Sequence, residues 1–426
     1  MKQLLIIIFI LIAGGAKGYT KDFDYSHITP HPRLLLKEGE ERNIHMVLQK
    51  NTVLQAFHKR ILDYCDETLK EPPVKRIKEG KRLLGVSRIV LKRVFYLSYA
   101  YRMTSEEKYL RRAEKEMLAA ASFTDWNPSH FLDVSEMSMG LAIGYDWLFN
   151  ELLPDSRKKI RQAIVEKAIE ASKTKHASFY KSRTNWNQVC NGGLVCSALA
   201  IYEDEPEKTK EIINKALQTV PLALECYAPD GGYPEGFGYW SYGTSYQVML
   251  NDALESSLGH DAGLSDYPGF LQSAQYIQYM TAPTGDCFNF SDASPKAYGN
   301  IMMFWFAHKT KNPSLLWLEK KYLNDANLEF GEYLEERFLP CLLIFASRID
   351  LDEVTSPKGN TWHSRGKNPV YIYRSGWNSK TDTYLGVKGG TASTSHAHMD
   401  AGSFIYEQAG VRWAMDLGMQ DYYSLE

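Results

Sequence analysis

Asp350-Leu351-Asp352-Glu353-Val354-Thr355-Ser356-Pro357-Lys358-Gly359-Asn360 separates two stretches of chain whose apolar residues follow different periods. Its polar, Pro- and Gly-containing composition reads as a linker. Before it, from Pro30 to Ile349, the pattern is helical. Ile160, Ile164, Ala168 and Ala171 recur at helical spacing after the start signal Pro154-Asp155, and Ile212, Ile213, Ala216, Leu217 and Val220 do so after Asp204-Glu205-Pro206-Glu207. Thr104-Ser105-Glu106-Glu107 reads as a capping box opening another amphipathic run. Helices that follow one another through short polar turns form antiparallel pairs, as in a bundle, a solenoid or a closed α/α toroid. After the linker the period shortens. Val370-Tyr371-Ile372-Tyr373, Tyr384-Leu385-Gly386-Val387, Ser403-Phe404-Ile405-Tyr406 and Val411-Arg412-Trp413-Ala414-Met415 are β-rich runs separated by Gly-containing turns. They predict the start of an antiparallel β domain that reaches Glu426 with too few strands to close a sandwich.

At the other end, Lys2, the apolar run Leu4 to Ile12 and Ala16-Lys17-Gly18 have the order of a secretory signal. The run is shorter than the ~20 apolar residues a spanning helix needs, so export to the periplasm or the outside is expected, with no membrane span. The expected divisions are 1–18 signal, 19–349 helical domain, 350–366 linker and 367–426 incomplete β domain. With 49 Lys and Arg against 51 Asp and Glu, and no basic block, the charge argues against nucleic acid. A polyanionic partner requires only local positive charge. The six cysteines contain no CxxC pair and fit neither a zinc ribbon nor a dense disulfide framework, although an exported chain has room for one or two bridges. The 27 Tyr and 9 Trp lean toward carbohydrate, since amphipathic rings suit sugar faces and hydroxyls.

Three stretches hold polar groups that a core would not ordinarily keep. Arg183-Thr184-Asn185-Trp186-Asn187-Gln188 opens an apolar helix. Its amides serve either as caps or as a cleft wall that bonds a sugar or its carboxylate. Pro229-Asp230-Gly231-Gly232-Tyr233-Pro234-Glu235-Gly236-Phe237-Gly238-Tyr239-Trp240-Ser241-Tyr242-Gly243 reads as an exposed turn-rich loop carrying aromatic ligand contacts, or else as an Ω-loop packed on itself. Ser395-His396-Ala397-His398-Met399-Asp400-Ala401-Gly402-Ser403-Phe404 reads as a strand with both imidazoles on one face. Asp416 on the returning strand is within reach of that face, as carboxylate and imidazole ligands of zinc would be.

The order of an Asn-Trp segment, Pro-Asp-Gly followed by Glu and Tyr, His-x-His-x-Asp-x-Gly-Ser-Phe and Asp-x-Gly resembles the heparinase II/III-like polysaccharide lyases, which have relatives among exported alginate and oligo-uronate lyases. The resemblance implies a mainly α fold, an incomplete (α/α) toroid followed by an antiparallel β-sandwich domain. It implies β-elimination on an acidic, uronic-acid-containing polysaccharide. Asn185 or Asn187 would bond the uronate carboxylate, and Tyr239 would act as acid or base, with Tyr242 in reserve. His396 would be the partner across the cleft. Arg183, Trp186, Gln188, Glu235 and Trp240 are expected to line the substrate path, and His398 and Asp416 to begin a structural zinc site. Where some relatives carry a His beside the Asn, this chain has Trp186 and Gln188.

Elimination needs these residue types. The proton on C5 of a uronate becomes removable when donors such as Asn amides or Arg183 neutralise the adjacent carboxylate. A base then takes it while an acid protonates the O4 leaving group. A rival enzyme reading is a glycoside hydrolase on the same toroid, drawing two carboxylates from Glu136, Asp146 and Glu235. The non-enzyme alternative is a glycan-binding or inactive truncated chain.

Overall fold

The computed structural model describes residues 23–324 and 335–420. The signal-like residues 1–18 lie outside the described residues. Thirteen α-helices are described: α1 (Glu41–Lys50), α2 (Thr52–Lys70), α3 (Leu84–Thr104), α4 (Glu107–Ala121), α5 (Phe131–Trp147), α6 (Pro154–Ile164), α7 (Asn185–Ala200), α8 (Pro206–Leu224), α9 (Gly236–Leu258), α10 (Ser273–Tyr279), α11 (Met303–Thr310), α12 (Trp317–Asn324) and α13 (Leu339–Ala346). They form the incomplete α/α toroid. None among the described residues is long and apolar enough to cross a membrane.

Two kinds of helix alternate because their sequences differ. α5 is buried along its whole length and α7 at all but one position, whereas α4, α6 and α8 are amphipathic and cover them from outside. The inner helices α3, α5, α7 and α9 run parallel. Gly140 and Gly144 of α5 lie against Leu91 and Val94 of α3. The Ser135 hydroxyl of α5 donates to Cys190 O of α7 (3.4 Å), and Ser197 of α7 donates to Ser138 O (3.3 Å). Gly243 and Tyr246 of α9 face Gln188 and Gly192 of α7 in the same rising order. Their four N-termini therefore gather at one end of the toroid, where unpaired N–H groups and the positive ends of the helix dipoles favour anions.

Five short strands follow in an antiparallel meander: β1 (Thr361–His363), β2 (Val370–Arg374), β3 (Tyr384–Lys388), β4 (Phe404–Gln408) and β5 (Val411–Ala414). Ile372, Gly386 and Ile405 are in register across its middle. Alternation sends Val370, Ile372, Tyr384 and Ile405 inward and leaves Tyr371, Tyr373 and Phe404 outside. The inner face packs on the segment after α10. Gly386 lies against Phe288, Tyr384 donates to Tyr279 O (2.9 Å), and Glu407 accepts from Thr284 N (3.1 Å).

The structure alters four local readings. β1 falls within the segment read as linker, because Trp362 buries its ring beside Tyr276 and Tyr279. Thr104 is the last residue of α3, not the cap of α4; its hydroxyl accepts from Glu106 N (3.2 Å), and no side chain caps α4. All six cysteines are buried and free. The Gly- and aromatic-rich loop is helical from Gly236 onward. Gly236 and Gly243 mark close approach: a Cβ on Gly243 would sit 2.6 Å from Gln188 Oε1, and one on Gly236, at φ +83°, 2.6 Å from Phe290 O.

Candidate active site

The first residues of α7 and α9 meet at the end of the toroid where the inner helices begin. Asn185 opens α7 and is buried; its Nδ2 donates to Glu235 Oε2 (3.3 Å). Glu235 is the N-cap residue of α9, and burial pushes its carboxyl up against the opposing pull of His396 and Asn185. Tyr239 lies in the first turn of the same helix. Its half-buried ring stacks on His396, with centroids 4.2 Å apart and planes 17° from parallel.

His396 comes from the other side, on the loop between β3 and β4. The expected strand is absent there, and His396 and Met399 hold left-handed backbone, at φ +57° each. Non-glycine residues adopt that region at a cost, so the surroundings must hold it. Lys388, buried in β3, pairs with Asp400, and Asn368 reaches both Thr394 (3.3 Å) and Pro234 O (2.6 Å). Asp292 grips both imidazoles, one oxygen on His396 Nδ1 and the other 2.8 Å from His398 Nε2. Sequence reading missed Asp292. It sits in the polar run Asn289-Phe290-Ser291-Asp292, roughly a hundred residues before the histidines, and no spacing ties it to them.

Asn185, Glu235, Tyr239 and His396 are thus brought together, His398 shares Asp292 with His396, Trp186 follows Asn185 on α7, and the remaining expected site residues are held elsewhere. Asn187 turns away and donates to Ser182 O and Thr219 O (2.9 Å each). Gln188 is buried against the Tyr227 hydroxyl (3.0 Å), and Trp240 packs beside Phe306 in the core. The expected exposure of Trp240 is corrected because residue 240 falls on the inward side of α9. Arg183 pairs with Glu225 on the surface. Tyr242 lies one turn deeper than Tyr239 and donates to Glu136 Oε1 (2.9 Å). Trp186 is half-buried, edge to face with His130.

The hydrolase carboxylates do not assemble. Glu136 is held by Arg88 (3.0 Å) and Arg337 (2.8 Å). Asp146 accepts from Arg33 N and Leu34 N at the far end of α5, which puts it about 20 Å along the helix from Asp133 at 1.5 Å per residue. Only Glu235 of the three stands at the site.

The zinc pair does not converge either. Asp416 accepts from the Ser403 hydroxyl (3.0 Å) and Gly418 N (2.8 Å), whereas His398 turns to Asp292. Among the described residues no group of three or more His, Cys, Asp or Glu is placed to hold a metal ion. The donors present do not fit a four-ligand zinc site.

No protein-family model matches the chain, and no curated protein matches it. Solved structures do. A heparinase III structure superposes with a TM-score of 0.51 at 14% identity, over 82% of this chain and 52% of that one. The heparinase III-BT4657 gene product gives 0.47 at 15%, over 95% and 60%, and the heparan sulfate lyase HepC from Pedobacter heparinus gives 0.46 at 16%, over 83% and 52%. The chain spans little more than half the length of these structures. At such identities the likeness shows the fold alone: a distant heparinase-like toroid followed by an antiparallel sheet.

Proposed function

We propose that this protein is a polysaccharide lyase that cleaves a uronic-acid-containing polysaccharide, heparan-like or alginate-like, by β-elimination. The observation that carries this reading is the stack of Tyr239 on His396 beside the Asn185–Glu235 pair. An amide, a phenol and an imidazole are the groups the elimination asks for, and they converge where four helix N-termini meet. One N–H of Asn185 is held by Glu235, which aims the second at the uronate carboxylate. That donor gains strength as charge spreads onto the carboxylate in the transition state. The C5–H bond then breaks, its electrons form the C4=C5 double bond, the C4–O4 bond breaks, and O4 leaves with a proton. Tyr239 and His396 share the removal and delivery of protons. Asp292 fixes the imidazole, as a carboxylate does for a catalytic His elsewhere. No water is consumed and nothing is oxidised or reduced. Export directed by residues 1–18 belongs to the same reading, because such polymers lie outside the cell.

The new double bond absorbs in the near ultraviolet. Incubation with heparan sulfate, heparin and alginate should raise that absorbance with at least one of them. Tyr239→Phe should remove at least ~99% of the rate while binding is retained, since only the hydroxyl that moves the proton is lost. New reducing ends without absorbance would replace elimination by hydrolysis, and a Tyr239→Phe rate within a few fold of wild type would reject the assigned tyrosine.

A further inference from the structure

Next to Asn185 the toroid rim carries a second imidazole outside the group just described. His130 is the N-cap residue of α5, and its Nδ1 bonds Asp133 Oδ1 (2.6 Å). Asp133 is fully buried, and its other oxygen accepts from Leu83 N (2.7 Å), where α3 begins, and from Asn127 Nδ2 (2.6 Å). Three donors from two segments, the start of α3 and the loop before α5, thus hold one carboxylate, which fixes the ring with Nδ1 directed at Asp133. The opposite nitrogen, Nε2, makes no hydrogen bond among the described residues and is not closed off from solvent. The ring stands edge to face on Trp186, with centroids 5.0 Å apart and planes at 83°. Trp186 is the residue after Asn185, and is itself half-buried.

An imidazole locked on one side and open on the other, beside an aromatic ring, is more than capping requires. A cap needs one acceptor for a backbone N–H, and no side-chain cap bond is made at α5. Because α5 and α7 run parallel, His130 and Asn185 stand at the same end of neighbouring helices. Resting on the lyase reading above, we infer that His130 and Trp186 form a sugar subsite. His130 Nε2 hydrogen-bonds a hydroxyl of the unit adjoining the uronate held by Asn185, and Trp186 lies against that unit's apolar face. His130 is a positioning residue and takes no part in proton transfer.

The test separates the two ends of the ring. Asn places an amide nitrogen near the position of Nδ1, so His130→Asn keeps the Asp133 bond and loses only the Nε2 end, whereas His130→Ala loses both. Steady-state kinetics on heparan sulfate, heparin and alginate should show KM raised about tenfold in both variants, with kcat within about threefold of wild type. Wild-type KM in His130→Asn would assign the residue to holding α5 and overturn the inference. A fall in kcat at unchanged KM would overturn it in favour of proton transfer. Should His130→Ala fail to fold, as judged by its melting curve, His130→Asn decides alone. Calorimetric titration with tetrasaccharides of the same three polymers separates this from the lyase reading. Absent turnover, binding weakened about tenfold in His130→Asn would leave the subsite standing without the lyase. Absent turnover, unchanged or undetectable binding would remove the subsite.

Discussion

Asn185 and Asn187 carry the same side chain two positions apart, and a helix turns about 200° over that interval. They cannot both face the cleft. Asn185 meets Glu235, while Asn187 ties the start of α7 to Ser182 and Thr219. Asn185→Ala should therefore lower kcat by about 10²–10³ in the fully folded protein, as for a lost oxyanion donor. Asn187→Ala should instead lower stability by about 1–3 kcal/mol, because a buried carbonyl on Thr219 and a half-buried one on Ser182 lose their donor, and the folded fraction should keep its turnover. Chemical denaturation read beside the ultraviolet assay distinguishes the two. Asp292→Asn tests the imidazole anchor: turnover should fall at least ~10-fold with substrate affinity nearly kept, since the ring loses its charged partner but the cleft keeps its shape. Motif reading singled out Tyr239 and His396 by residue type and order, and the fold stacks their rings. That reading did not single out Asp292, whose bonds to both imidazoles are made only after folding.

The inner helices depend on small residues where their backbones cross. A Cβ on Gly140 of α5 would lie 2.8 Å from Leu91 Cα of α3, closer than real Cβ contacts come, and neither backbone has room to yield. Gly140→Ala should destabilise the protein by about 1–3 kcal/mol through overpacking, despite the better helix propensity of Ala. Gly85, at the start of α3, is the control: a Cβ there meets only the Glu79 carboxyl at 3.8 Å, so Gly85→Ala should be neutral or slightly stabilising by urea denaturation. The same logic explains why residues 236–243 were read as loop. Gly236 and Gly243 are typical of turns, and nothing local reveals that the Phe290 backbone and helix α7 pass within van der Waals reach of them. The strands were legible because β2, β3 and β4 alternate at period two, the signature of one buried face. β1 has only three residues, too few to display a period.

Across the whole molecule, α12 is joined to the site helix by a buried chain of polar groups. Glu319 accepts from Asn300 N (3.0 Å), and the Asn300 amide oxygen accepts from Ser241 of α9, two residues beyond Tyr239. Burial pushes the Glu319 carboxyl up to about 8. The sign follows from linkage. Below about pH 4.5 the group is protonated whether the chain is folded or not, and it adds no pH dependence. Above that pH the unfolded chain releases the proton while the folded chain keeps it. Stability is therefore lost steadily as pH rises toward about 8, by on the order of a few kcal/mol in all. Glu319→Gln keeps the acceptor for Asn300 and cannot ionise. Its melting temperature should exceed that of wild type near pH 8, and the gap should close toward about pH 5. Parallel curves for the two proteins would show that Glu319 does not titrate in this range.

Helical period before residue 350 and strand period after residue 366 are properties of local sequence, because the side-chain spacing that buries one face is written along a single element. The sequence alone therefore determined that helices precede a sheet. It also marked Asn185, Glu235, Tyr239 and His396 as groups able to act on a sugar acid. Tertiary structure decided which of the marked residues share a site. The parallel course of α3, α5, α7 and α9 brings four helix starts to one end, the packing of α7 turns Asn187 and Gln188 inward, and Asp292 fixes where two histidines point. Each of these depends on contacts between segments far apart in the chain, which no local spacing encodes.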